Sequence, residues 1–125
     1  MQRVVTRLAL ATLLGACAPA LADGDHKPKY GGVQTVVKDV EYELVAKPDV
    51  IVIFIDDHGK KVSTRSGTGK LTLLTGAQKT EVALTPVGEN GLEARGAIKV
   101  APGTKAVAMI SLPGKGAVSV RFELR

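Results

Sequence analysis

The feature that most constrains the fold is an alternation of apolar and polar residues with a period of two, which recurs from Tyr30 to Leu124. Such a period places successive side chains on opposite faces of a β-strand. No stretch of ten residues combines the 3.6-residue period with the caps of a helix. The chain is therefore predicted to be all-β. The positions predicted to face the core are Val40, Tyr42, Leu44 and Ala46; Thr80, Val82 and Leu84; Leu92, Ala94, Gly96, Ile98 and Val100; and Val118, Val120, Phe122 and Leu124.

Turn signals separate these runs at short and regular spacing. Pairs that end in glycine favour the positive φ angles of hairpin turns. About seven or eight strands joined by tight turns over residues 30–125 are typical of an immunoglobulin-like sandwich, and a small barrel is the alternative. Residues 63–69 (STRSGTG) are predicted to form a mobile connection on the rim. The turns are expected at 57–59, 76–77, 89–91, 102–103 and 113–114.

One run is apolar at every position. Residues 50–55 (VIVIFI) predict either a central strand that is covered on both sides or a strand that crosses from the edge of a sheet to its middle. Asp49, Asp56 and Asp57 flank it, and we interpret them as charged gatekeepers against aggregation. Met109 lies in the apolar stretch 106–112 and is predicted to belong to the core.

The first 22 residues predict a cleaved signal peptide. Arg3 and Arg7 precede nine uncharged residues at 8–16, and Ala20-Leu21-Ala22 offers the small-x-small cleavage site that would leave Asp23 first. An apolar stretch of that length makes only about 14 Å of helix, far short of the ~30 Å hydrocarbon core of a membrane. We therefore expect a periplasmic protein with a polar flexible lead at 23–29 and one β-sandwich domain at 30–125.

An alternative processing route is also open. Residues 13–17 (LLGAC) have the form of a bacterial lipobox, in which a lipid-modified cysteine becomes the first residue. Cleavage before Cys17 would tether the protein to the membrane without changing its fold. Cleavage after Ala22 is favoured because that site lies at a natural distance from the apolar stretch.

Charge and cysteine content argue against several classes of function. Loss of Arg3 and Arg7 with the signal peptide lowers the formal net charge from +5 to +3, and no aromatic residues interleave with the lysines, so nucleic acid is a poor partner. Cys17 is the only cysteine, which removes thiol chemistry from the mature domain. No G-x-S-x-G elbow is present. The segment 65–70 (RSGTGK) lacks the glycine that a phosphate-binding loop needs six residues before its lysine, where Thr64 stands. We therefore expect that the protein is not an enzyme.

Metal binding is the function for which particular candidate residues can be named. Asp23, Asp25 and His26 lie within four residues, together with the amine that cleavage would free at Asp23. Imidazole and carboxylate ligands suit divalent copper, zinc or nickel. His58, which follows two aspartates, is a second candidate, although Asp and His are also ordinary turn residues. The predicted ligands are therefore Asp23, Asp25 and His26, with His58 second, and neither group has a specific metal-site spacing.

A sequence resemblance points the same way. Residues 25–32 (DHKPKYGG), followed by 40–45 (VEYELV), resemble small exported proteins of Gram-negative bacteria that begin D-H-x-P-x-H-G-G and continue into a Y-E-L-V strand. The H-G-G and E-L pattern is also similar to a segment of periplasmic adaptors of heavy-metal efflux pumps. The resemblance implies a link to metal handling. It departs at one position, because the second histidine of the motif is Tyr30 here.

Two functions follow as expectations. The first is a non-catalytic periplasmic binding module that engages a divalent metal such as copper, or an envelope or efflux partner in metal export. The second is a structural or interaction module of the cell envelope without a metal, which presents a sheet edge or rim loops to another protein. No transmembrane segment is expected in the mature chain.

Overall fold

The computed structural model describes residues 27–96 and 98–125, and these form nine β-strands. The predicted signal peptide, Cys17, Asp23, Asp25 and His26 lie outside the described residues. None of the described residues belongs to a helix long and apolar enough to cross a membrane. The strands are β1 (Val33–Val37), β2 (Val40–Ala46), β3 (Val50–Asp57), β4 (Lys60–Lys61), β5 (Thr68–Thr75), β6 (Gln78–Val87), β7 (Gly91–Arg95), β8 (Lys105–Leu112) and β9 (Gly116–Glu123).

The strands form two antiparallel layers that share one long strand. Eight strands run in the order β1-β2-β3-β7-β6-β5-β8-β9, and the short β4 pairs with β3 beside this path. Strand β6 links the layers, because its residues 78–84 pair with β5 whereas 85–87 pair with β7. The first and last strands also meet, where the Thr35 hydroxyl donates a 2.6 Å hydrogen bond to the Arg121 carbonyl. The predicted all-β, sandwich-like fold is confirmed, and its sheet curls almost into a barrel.

Strand β3 lies at the centre of the first layer, as the sequence predicted. The side chains of Ile51, Ile53 and Ile55 are fully buried between the layers. Ile53 stands opposite Leu44 of β2 on one side and Leu92 of β7 on the other. The second layer completes the core with Leu71, Leu73, Leu84, Ala106, Ala108, Ile110, Leu112, Val120 and Phe122.

Several predictions about which side chains meet water are wrong. Ala46, Thr80 and Gly96 were predicted to face the core, but all three are exposed. Met109 is 48% exposed, because the alternation of β8 turns Ala108 and Ile110 inward and leaves Met109 on the outer face. Glu41, Glu43 and Asp56 were expected on the solvated side, yet they are only 7%, 3% and 4% exposed. These carboxylates lie on the outer face of β2 and β3, where the residues before β1 cover Glu43 and Asp56.

The predicted turn after β3 is confirmed, and a second tight turn was missed. His58 and Gly59 have φ of 51° and 80° and connect β3 to β4 as a two-residue turn. Lys38 and Asp39 likewise have positive φ, 51° and 66°, between β1 and β2. Two left-handed residues without a glycine are uncommon, so composition alone gave no sign of that turn.

The rim segment 63–69 is held more firmly than the sequence suggested. Thr64 is fully buried, and its hydroxyl donates a 2.8 Å hydrogen bond to the Gly91 carbonyl. Gly67 packs so closely that a Cβ there would lie 2.6 Å from Leu112 Cδ2. The segment is therefore fastened at two points, and only the residues between them project from the rim.

Candidate functional site

The buried carboxylate of Glu43 holds the chain that enters β1. It accepts backbone hydrogen bonds from Lys29 at 2.6 Å, Tyr30 at 2.7 Å and Gly32 at 2.8 Å. We call residues 29–32 the strap. Hydrogen bonds from N–H groups to an ionised carboxylate are short and strong, and three of them compensate a buried charge well. Glu43 thus fixes the strap to the outer face of β2.

The two glycines of the strap are required by this geometry. Gly31 has φ of +80°, a conformation that other residues adopt only with strain. At Gly32 a Cβ would lie 2.1 Å from the Leu44 carbonyl oxygen, so no larger residue fits without a shift of the backbone. The Gly-Gly pair and the glutamate of the Y-E-L-V strand are separate parts of the sequence motif. In the fold they are joined by the hydrogen bond from Gly32 to Glu43.

Tyr30 joins the strap to β3. Its ring stacks on Phe54 with centroids 4.0 Å apart and an angle of 14° between the planes. Its hydroxyl donates to Asp56 Oδ2 at 3.1 Å and accepts from Asn90 Nδ2 at 3.2 Å. The Asn90 amide also donates to the Ile55 carbonyl. The position at which the resemblance places a histidine is therefore occupied here by an aromatic anchor.

His58 is exposed in the turn formed by residues 57–60, which we call the His58 turn. Its Nδ1 lies 2.5 Å from Asp57 Oδ1. This hydrogen bond, and then the negative charge of Asp57, raise the pKa of His58 above its usual 6.5, and Asp39 and Glu41 add smaller contributions in the same direction. Because Asp57 engages Nδ1, the other ring nitrogen, Nε2, is left for a ligand.

The raised pKa gives a testable pH dependence. The His58–Asp57 pair contributes its stabilisation fully at pH below 6.5 and loses it as pH rises through the raised pKa. We expect an NMR titration of the His58 ring protons to give a pKa above 6.5, and the Asp57→Asn variant to bring it back toward that value. An imidazole that titrates at or below 6.5 in the parent would contradict the Asp57 contact.

The strap brings the start of the described chain toward the His58 turn. The Lys29 ammonium lies 3.7 Å from the position that a Cβ on Gly59 would occupy. The Lys27 carbonyl accepts a 3.5 Å hydrogen bond from the Gln34 amide on β1. His26 lies three positions before Lys29 in the sequence, and an extended chain of that length spans at most about 11 Å. The structure therefore places the Lys29 side chain beside the turn that carries His58, while the backbone at Lys27 lies against β1.

The described residues do not assemble a complete metal site. No three His, Cys, Asp or Glu side chains within 27–96 and 98–125 come together as possible ligands. The Asp56-Asp57-His58 cluster is divided, because Asp56 is buried under Tyr30 and only Asp57 and His58 face the turn. His58 could supply one ligand, and any further ones have to come from elsewhere, such as Asp23, Asp25 and His26.

The residues that form this site were only partly visible in the sequence. Tyr30 and His58 were noted there, whereas Glu43, Phe54 and Asn90 were missed as a connected group. The glutamate in the Y-E-L-V strand was the available signal, but its partners are backbone amides, which leave no mark on composition. No family model, curated protein or solved structure matches the chain significantly. The geometry alone therefore carries the functional argument.

Proposed function

We propose that the protein is a non-catalytic binding module of the periplasm that takes up a divalent metal ion weakly between its N-terminal tail and the His58 turn. One observation carries the proposal: the three hydrogen bonds to Glu43 hold the strap so that Lys29 reaches Gly59. The predicted ligands Asp23, Asp25 and His26 precede the strap by a few residues. His26 lies three positions before Lys29, and an extended chain of about 11 Å would let its imidazole approach the His58 turn.

The chemistry of these groups favours copper and weak affinity. Imidazole and carboxylate sites bind Cu²⁺ more tightly than Ni²⁺ or Zn²⁺ in the general affinity order. Asp57 orients the His58 ring through Nδ1, as carboxylates commonly do for metal-binding histidines. The metal must displace the proton on Nε2 of the imidazolium, which the raised pKa of His58 makes harder to remove, and the Lys29 ammonium beside the turn repels a cation. Both effects lower the affinity.

Copper titration of the mature protein by calorimetry tests the proposal. We expect saturable binding in the micromolar to millimolar range at neutral pH, which weakens as His26 and His58 become protonated. The His26→Ala variant should lose most of the binding, and His58→Ala should weaken it severalfold. The Glu123→Gln variant, which removes an exposed carboxylate from the end of β9, serves as the control and should bind like the parent.

Several outcomes would contradict the metal proposal. Absence of copper binding by the parent protein at millimolar concentration would rule out the metal proposal. Equal affinity in the parent and the His58→Ala variant would confine binding to the tail and remove the role of the turn.

The location and the partner of the protein belong to the same proposal. The signal peptide predicted at 1–22 supports the periplasm, with an anchor at Cys17 as the alternative. The sequence resemblance supports an association with metal efflux.

A second function, an interaction module without metal, is favoured by the edge of β6. Thr75 and Gln78 flank a two-residue turn and form a hydrogen-bonded pair, so Lys79, Glu81 and Ala83 direct their backbone groups away from β5. Strand β7 pairs only with residues 85–87, which leaves 79–83 without a neighbouring strand among the described residues. An extended segment of an envelope protein could add there, independently of His26 and His58.

A further inference from the structure

A recess of about 500 Å³ opens on the rim beside β4. Lys61, Ser63, Arg65 and Ser66 line one part of it, and Pro86, Gly88 and the carboxylate-bearing Glu89 complete the lining. Two cations and two hydroxyl groups thus border one concave surface. This combination of donors suits an oxyanion, because each can donate a hydrogen bond and none of the four carries a negative charge.

The loop that supplies these donors is fastened on both sides. The Thr64 backbone amide donates to the Glu89 carbonyl at 3.1 Å, and the Gly67 amide donates to the Thr64 carbonyl at 2.8 Å. Between them Ser66 has φ of 61°, a left-handed conformation that is uncommon for serine. The turn that the Thr64 carbonyl and the Gly67 amide close therefore fixes Arg65 and Ser66 on the rim.

The positive charge in the recess is only partly neutralised. Within the described part of the chain, the Arg65 guanidinium makes no ion pair. Lys61 pairs with Glu89 across 3.5 Å, a loose contact between exposed side chains. Lys70, the lysine that a phosphate-binding loop would use, instead pairs with Glu81 at 2.8 Å and does not line the recess. The arrangement therefore differs from a nucleotide-binding loop.

We propose that this recess binds a phosphate group, either as the free anion or as a monoester. The planar fork of Arg65 can contact two phosphate oxygens, and Lys61 can leave Glu89 to add a second charge. The hydroxyls of Ser63 and Ser66 can donate to the remaining oxygens. This site shares no residue with the proposed metal site. A negative result for copper binding would therefore not count against phosphate binding.

NMR titration of the folded protein with inorganic phosphate tests the site. We expect saturable shifts of the backbone amides of residues 61–67 and 87–89, with a dissociation constant on the order of 1 mM because the recess is open to water. The Arg65→Gln variant should bind about tenfold more weakly, since a hydrogen bond between charged groups is lost. Lys61→Gln should also weaken binding, and both side chains are exposed, so neither variant should unfold the domain.

The control is Arg121→Gln, which removes the same charge from the exposed face of β9. It should change phosphate affinity by less than about twofold, the effect of general electrostatics between exposed charges. Equal weakening by Arg121→Gln and Arg65→Gln would overturn the site, and so would shifts that never saturate. Glycerol phosphate and vesicles that contain phosphatidic acid, a lipid phosphate monoester, then distinguish a small monoester from a lipid headgroup. Binding to vesicles without saturable phosphate binding would also overturn the recess as the site.

Discussion

Replacing Ile53 with aspartate is expected to abolish folding. Ile53 is fully buried at the centre of β3, between Leu44 and Leu92 of the neighbouring strands. No cationic or hydrogen-bonding side chain is among these cross-strand neighbours. Burial of an unpaired carboxylate therefore costs more than the ~5–15 kcal/mol by which domains of this kind are stable. The far-UV circular dichroism and NMR dispersion of Ile53→Asp should be those of an unfolded chain.

Two matched variants show whether the position or the charge is responsible. Ile53→Val removes one methylene group and should lower the free energy of unfolding by about 0.5–1.5 kcal/mol. Met109→Asp places the same charge on the exposed outer face of β8 and should change stability by no more than about 0.5 kcal/mol. If Ile53→Asp melts like the parent, β3 is not the centre of the core.

The second large effect is expected at Glu43. The Glu43→Ala variant removes the acceptor of three backbone hydrogen bonds, each of which typically contributes about 1.5–3 kcal/mol when one partner is charged. Release of the strap lets these amides bond to water instead, so the total loss stays below the sum. We expect urea denaturation to show a decrease of about 3–5 kcal/mol in the free energy of unfolding.

Hydrogen exchange separates loss of the strap from general destabilisation. In Glu43→Ala the amides of Lys29, Tyr30 and Gly32 should exchange rapidly, while the amides of the core strands stay protected under native conditions. Glu123→Gln removes an exposed carboxylate and should leave both properties unchanged. Slow exchange of the three strap amides in Glu43→Ala would show that the carboxylate does not hold them.

The main features of the fold could be read from alternation, and the reason is physical. Residues 50–55 do form the central strand of their layer, between β2 and β7. Full burial is confined to 51, 53 and 55, which face the other layer, whereas 50, 52 and 54 on the outer face are half-buried. The turn at His58 and Gly59 could be expected because glycine accepts a positive φ. At Lys38 and Asp39 the same kind of turn forms without glycine, so residue preferences gave no indication of it.

The strap could not be read from the sequence because its acceptor looks like a surface residue. In an alternating strand, Glu41 and Glu43 occupy the positions that normally meet water. Glu43 is buried because backbone amides from residues 11 to 14 positions earlier satisfy it. Backbone donors are present in every sequence, so their meeting with one particular carboxylate becomes visible only when the chain is folded.

We propose that the tail and the His58 turn bind one metal ion together. Paramagnetic Cu²⁺ broadens the NMR signals of nearby nuclei, so a substoichiometric titration of ¹⁵N-labelled mature protein tests this claim most directly. We expect the signals of the His58 turn and of residues 27–29 to broaden together. The His26→Ala variant should abolish the broadening at the turn. Broadening confined to residues before the strap, or unchanged at the turn in His26→Ala, would contradict this claim.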